Sequence, residues 1–178
     1  MGKPTPPAAK GGEGKAPAEV TARQIHLEWD GPYDFNDLDK LNDPKSDYGV
    51  YQIYGAHPVY GPDVLLHLGQ AVNETFSARL APEKEEWGEV TLYVGRLAGT
   101  ETPEEKEWEK QIELAEALLT YVHSPVYNSQ DQDSLDYDGL RGVQLLNWYY
   151  YRDLLPEVSG ARWLAEADAP SWNVYGSH

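Results

Sequence analysis

Cysteine is absent from this chain, which excludes a disulfide framework and a thiolate metal site. No run of about 18 apolar residues occurs, so no segment reads as a membrane-spanning helix. The first residues lack the apolar stretch of a secretory leader, and a soluble cytoplasmic protein is the expectation. Basic residues are scarce: 14 Lys and Arg stand against 30 Asp and Glu, a formal charge of −16. That balance argues against a broad nucleic-acid surface, because phosphate contacts need Lys and Arg. It leaves room for a small site where a metal ion or a few arginines reverse the field locally. Internal repeats, a Walker loop, zinc-ligand spacing and a Gly-x-Ser-x-Gly elbow are also missing.

What is present is a globular composition. The 178 residues are 40% hydrophobic, with 6 Trp and 13 Tyr, enough for one domain with a real core. Residues 1–22 are Lys, Gly, Pro, Ala and Glu and read as a disordered tail, with a short basic DNA tether as the alternative. Up to Arg23 the tail carries four basic residues against Glu13 and Glu19, which leaves −18 for the remainder. Residues 23–178 read as a single domain.

Gln24–Trp29 alternates, with Ile25, Leu27 and Trp29 on one side and His26 solvated on the other; it reads as a short anchoring strand. Residues 30–47 read as a loop with at most a helical turn around Asn36–Leu41. Tyr48–Tyr54 and Val64–Leu68 read as a hairpin whose residues 55–63 are turn, with His57 and Tyr60 as loop residues. Gly69 is expected to end the second strand, and Asn73 to cap a helix Glu74–Leu80 carrying Arg79. Glu83–Glu86 reads as a solvated acidic link, and Trp87–Leu97 as a strand with Leu92 and Val94 opposite Thr91 and Tyr93. Thr102-Pro103-Glu104-Glu105 is a strong helix start, and Pro125 stops that helix after about Val122. A polar loop 129–139, a strand Val143–Tyr151, a turn Leu154–Gly160 and a wrapping segment with Trp163 and Trp172 follow. The expected fold is α/β (α+β): a small three-stranded antiparallel sheet flanked by helices, the leading strand at its edge, and a β-rich C-terminal extension.

On the long helix, Trp108, Ile112, Ala115, Leu119 and Val122 make one apolar stripe. Glu116 lies about 40° from Ile112, at the margin of that face, and Glu113 points more toward solvent. A carboxylate there is costly unless a cation, an arginine or a metal compensates it, or unless it reaches out to water.

Gly49-Val50-Tyr51, His67-Leu68-Gly69, Arg79, Ala115-Glu116-Ala117-Leu118-Leu119 and Ser124-Pro125-Val126-Tyr127-Asn128 together resemble the GIY-YIG nuclease superfamily over about residues 48–130. The lead-in before Gly49 and the segment Leu155–Gly160 look like its bacterial branch related to type II restriction enzymes. The resemblance implies an endonuclease that hydrolyses DNA phosphodiester bonds. It assigns Tyr51 to deprotonating the attacking water, Arg79 to clamping the scissile phosphate and Asn128 to supporting the site. It makes Glu116 the ligand of one Mg²⁺ or Mn²⁺ ion. His67 departs from the family's tyrosine; it either replaces that residue, serves as the base itself, or marks a relaxed site. The histidine expected one turn after the arginine is also missing, where Ala81-Pro82-Glu83-Lys84 stands.

Three readings follow. The first is a metal-dependent endodeoxyribonuclease, with a homodimer if both strands are cut. The second is a catalytically weakened domain acting as an acidic binding or regulatory module toward a protein partner. The third is a structural protein with an accidental match.

Overall fold

A computed structural model describes residues 23–99, 104–128 and 137–164. Its centre is one curled, mixed sheet of six strands: β1 (Arg23–Tyr33), β2 (Gly49–His57), β3 (Gly61–Ala71), β4 (Val90–Ala98), β5 (Val143–Tyr149) and β6 (Glu157–Ser159). The order across the sheet is β3-β2-β4-β1-β5-β6. Every pairing is antiparallel except β1 with β5. Among the described residues five helices accompany it: α1 (Phe76–Leu80), α2 (Lys84–Trp87), α3 (Glu105–His123), α4 (Tyr137–Arg141) and α5 (Gly160–Trp163). Short 3₁₀ turns lie at Leu38–Leu41 and Ala81–Glu83.

This corrects the expected three-stranded sheet flanked by helices. The leading strand is not an edge: β1 lies between β4 and β5, its Ile25, Leu27 and Trp29 all buried. The reason is the parallel pairing from Arg23↔Val143 to Trp29↔Tyr149, which the intervening chain makes possible and which no local pattern announces. The stretch 154–160, expected as a turn, supplies β6, and α4 occupies the end of the expected polar loop. The disordered-tail reading of residues 1–22, Thr102 and Pro103 as a helix start, and Trp172 lie outside the described residues; α3 begins after Glu104.

Both faces of the sheet are covered. On one, Ile112, Ala115, Leu118 and Leu119 of α3 pack on Val50, Leu68, Leu27 and Leu145. On the other, Phe76 and Leu80 of α1, with Leu38 and Leu41, pack on Tyr51, Ile53, Leu92 and Val94. Strand alternation therefore sends Tyr51 and Val50 to opposite faces.

The hairpin is longer than expected. Only residues 58–60 turn, because Gly55 pairs with Val64 and His57 with Gly61. Pro62 is tolerated since β3 is the outermost strand of the sheet, with no strand beyond it. Gly69 does not end β3; it pairs with Tyr51 inside the ladder. Helix α1 is capped by Thr75, not Asn73, its Oγ1 accepting from the Ala78 N–H at 3.3 Å. Residues 83–86 are helical turns, with Glu83 only 19% exposed.

Candidate active site

The site lies at the outer edge of β3, where side chains from both faces meet. Strand β2 brings Tyr51 and β3 brings His67 and Gly69, all toward the α1 face. Arg79 comes from the last turn of α1. Glu116 comes from the margin of α3 on the other face, half-buried as its helical position implies. Tyr51, His67, Arg79, Glu116 and Asn128 all line one cleft of about 630 Å³, with Gln70 also in its wall.

Two glycines make this approach possible. A Cβ on Gly69 would sit 2.4 Å from the Tyr51 phenol, so the ring can cross β3 only because that residue has no side chain. Gly49 has φ of +145°, and a Cβ there would fall 2.0 Å from the Gly95 carbonyl oxygen of β4. Each glycine of the two motif segments is thus accounted for by backbone or ring contact.

Tyr51 is fully buried, and its hydroxyl has no hydrogen-bond partner. Burial pushes its pKa well above the ordinary 10, and the Glu83 carboxylate adds to the rise. The Arg79 guanidinium opposes this, and Glu116 raises it further. The phenol is therefore protonated at neutral pH, and its buried O–H lies within the wall of the cleft. The His67 ring lies 6.0 Å from the Tyr51 ring, centroid to centroid.

Arg79 is engaged by Glu83 at 3.2 Å, and Glu83 also accepts from the Trp87 Nε1–H at 2.9 Å. Arg79 is 42% exposed, so this pair is screened and yields readily to a competing anion. A guanidinium has five N–H donors and can bridge two anions at once.

Asn128 is 2% exposed and works on the backbone. Its Oδ1 accepts from the Leu68 N–H at 2.9 Å and its Nδ2 donates to the Leu68 carbonyl at 2.8 Å. The Tyr127 N–H donates to the Leu66 carbonyl at 2.9 Å, so the segment after Pro125 saturates the outer edge of β3 beside the cleft. The expectation that Asn128 returns to the helix face is replaced by this contact with β3.

The cleft wall is acidic: Glu74, Glu109, Glu113 and Glu116 line it against Arg79. Among the described residues, no three histidine or acidic side chains converge to grip a metal ion unaided. The donors present still fit a hard divalent ion. Mg²⁺ keeps several waters and is held by one or two carboxylates plus the phosphate it serves. Glu116 supplies such a carboxylate, its Oε1 oriented by the Thr120 hydroxyl at 3.1 Å. Gln70 adds a buried side-chain carbonyl oxygen with no hydrogen-bond partner.

Sequence reasoning missed Gln70, Glu109 and the grip of Glu83 on Arg79. Glu83 sits four residues after Arg79, a spacing that signals an ion pair once the segment is helical. Gln70 carries no such signal.

No family model, curated protein or solved structure matches this chain. Its site therefore has to be judged on its own geometry. Among the described residues, no helix is long and apolar enough to cross a membrane.

Proposed function

We propose that the chain is a metal-dependent endonuclease that hydrolyses DNA phosphodiester bonds in the cleft at the outer edge of β3. One observation carries the reading: Tyr51, His67, Arg79, Glu116 and Asn128 come from five separate segments and line the same cavity. Their residue types match what the reaction needs, namely a proton acceptor, a cation for the phosphate and a carboxylate for a divalent ion.

In the reaction, water attacks phosphorus, one P–O ester bond breaks, and the leaving oxygen takes a proton from solvent. Tyr51, kept protonated by its burial, would orient the water or a phosphate oxygen through its O–H. His67, an imidazole lining the same cleft, would accept the water's proton. Arg79 donates to the scissile phosphate while it shares or releases Glu83. Asn128 holds Leu68, and with it the strand that carries His67 and Gly69. Glu116, with Gln70 in the wall of the same cleft, would hold Mg²⁺ or Mn²⁺, which when bound would supply charge against the transition state and a more acidic water.

The second reading is a weakened domain kept as an acidic binding module for a protein partner. The ion pair that already occupies Arg79 favours it, as does the acidic cleft wall. Conversion of supercoiled plasmid to nicked or linear product separates the two. The nuclease reading expects product with Mg²⁺ or Mn²⁺ and none with a chelator. No product under any metal or salt condition leaves the binding module.

A further inference from the structure

A row of aromatic rings leads outward from the cleft, and core packing does not explain its outer members. It begins at Tyr51 and His67, whose centroids are 6.0 Å apart. Trp87 lies 5.6 Å from His67, and Tyr127 lies 5.8 Å from Trp87. His57 follows at 5.8 Å from Tyr127, and Tyr60 stacks on His57 at 4.9 Å. Tyr51 at the inner end is fully buried, while Tyr127 is 53% and Tyr60 66% exposed, with His57 half-buried between them.

Trp87 also packs against the core, while Tyr127, His57 and Tyr60 are held from outside it. The Trp87 indole is fixed by its hydrogen bond to Glu83, Tyr127 by its backbone bond to Leu66. The His57 Nδ1 accepts from the Val59 and Tyr60 N–H groups, which shapes the turn that carries Tyr60. A second cavity of about 510 Å³, walled by Trp87, Tyr127 and Leu66, opens beside this row. It shares His67 and Arg79 with the cleft, so the two adjoin.

The charge of this cavity limits its occupant. Glu83 and Glu86 line it and Arg79 is the cation there. Such a surface cannot gain much by neutralising the closely spaced phosphates of duplex DNA, whose binding rests on Lys and Arg. Stacking of bases on aromatic rings requires few cations and tolerates any sequence. Paired bases have no exposed faces to offer; unpaired ones do.

We propose that Tyr60, His57, Tyr127 and Trp87 form a stacking track for the unpaired bases of single-stranded DNA. The track delivers the strand to the cleft, so the substrate is a single strand or the single-stranded arm of a branched duplex. This rests on the nuclease reading for the cleft, but the binding it requires is measurable without cleavage.

The test is fluorescence anisotropy with the full chain in chelator, using labelled oligothymidine and a blunt duplex of the same length. The track gives tighter binding of oligothymidine, by about 10-fold or more, with a shallow salt dependence. Tyr127→Ala and Trp87→Ala each weaken it by about 10-fold, while Trp87→Phe retains most of the affinity. Circular dichroism checks that each variant is folded, and the exposure of Tyr127 makes its truncation the safer of the two. Equal or tighter binding of the duplex, no binding of the single strand, or wild-type affinity in both folded alanine variants overturns the proposal. Oligothymidine bound through the track but never cut with Mg²⁺ or Mn²⁺ defeats the nuclease reading and leaves the track standing. Plasmid duplex cut equally by wild type and track variants does the reverse.

Discussion

Gly69 shows how much one missing side chain decides. The Tyr51 ring passes over it, and an added methyl group would meet the phenol at 2.4 Å. Gly69→Ala is expected to cost about 2 kcal/mol through overpacking and to displace Tyr51 from the cleft. Urea unfolding and plasmid cleavage measure the two effects. A second residue-scale outcome concerns His123 at the end of α3. Its Nδ1–H donates to the Leu119 carbonyl at 2.9 Å, and its Nε2 accepts from the Leu155 N–H at 2.9 Å. Burial lowers its pKa below the ordinary 6.5. Above that value both folded and unfolded chains hold it neutral. As pH falls below about 6.5 the unfolded chain takes up a proton that the folded one resists, so stability declines. His123→Gln should show a smaller loss of thermal midpoint between neutral and mildly acidic pH than the wild type.

Elements place these residues, and their local signals were unequal. The apolar stripe of α3 and the alternation of β1 were legible, because burial on one face imposes a period, whereas β4 is buried on both faces at Leu92, Tyr93 and Val94. Glu116 stood out for the same reason, as a carboxylate at the margin of a buried stripe. The hairpin was read too short because Gly and Pro were taken as turn punctuation. In an outer strand a proline loses no ladder bond, and Gly55 sits where Leu66 Cδ1 and Val90 Cγ1 leave a Cβ only 2.9 and 3.1 Å. Thr75 rather than Asn73 caps α1, a choice between two adequate cap residues that only the chain's path decides. Removing the two Leu68 bonds with Asn128→Ala leaves a buried N–H and C=O unsatisfied, and about 2 kcal/mol of stability is expected to go. Thr75→Ala removes one cap bond and should cost about 1 kcal/mol. Chemical denaturation of both variants checks the order of the two losses.

At the scale of the whole molecule the sheet was the largest surprise. A three-stranded sheet was expected, with the leading strand at its edge and Val143–Tyr151 in an extension, and β1, β5 and β6 instead join it into one sheet of six. The parallel pairing of β1 with β5 joins residues more than a hundred positions apart, and a period-2 pattern says which face is buried but not which strand lies alongside. The cleft, by contrast, was foreshadowed by five short segments, which the fold brings to one edge. The charge of −16 acts on the molecule as a whole. Self-repulsion opposes compactness, so raising NaCl from about 0.02 M to about 0.2 M should raise the thermal midpoint. On the nuclease reading, the same acidity makes the cleft dependent on a cation to admit phosphate. Single-turnover cleavage by wild type and Glu116→Gln, with unfolding midpoints measured alongside, is the most direct test of the nuclease assignment. With Mg²⁺ present, the wild type should cut and the variant should be slower by about 100-fold or more at near-equal stability, given the weight of metal stabilisation in such reactions. Cleavage by Glu116→Gln at the wild-type rate, or none by the wild type in any divalent metal, would contradict it.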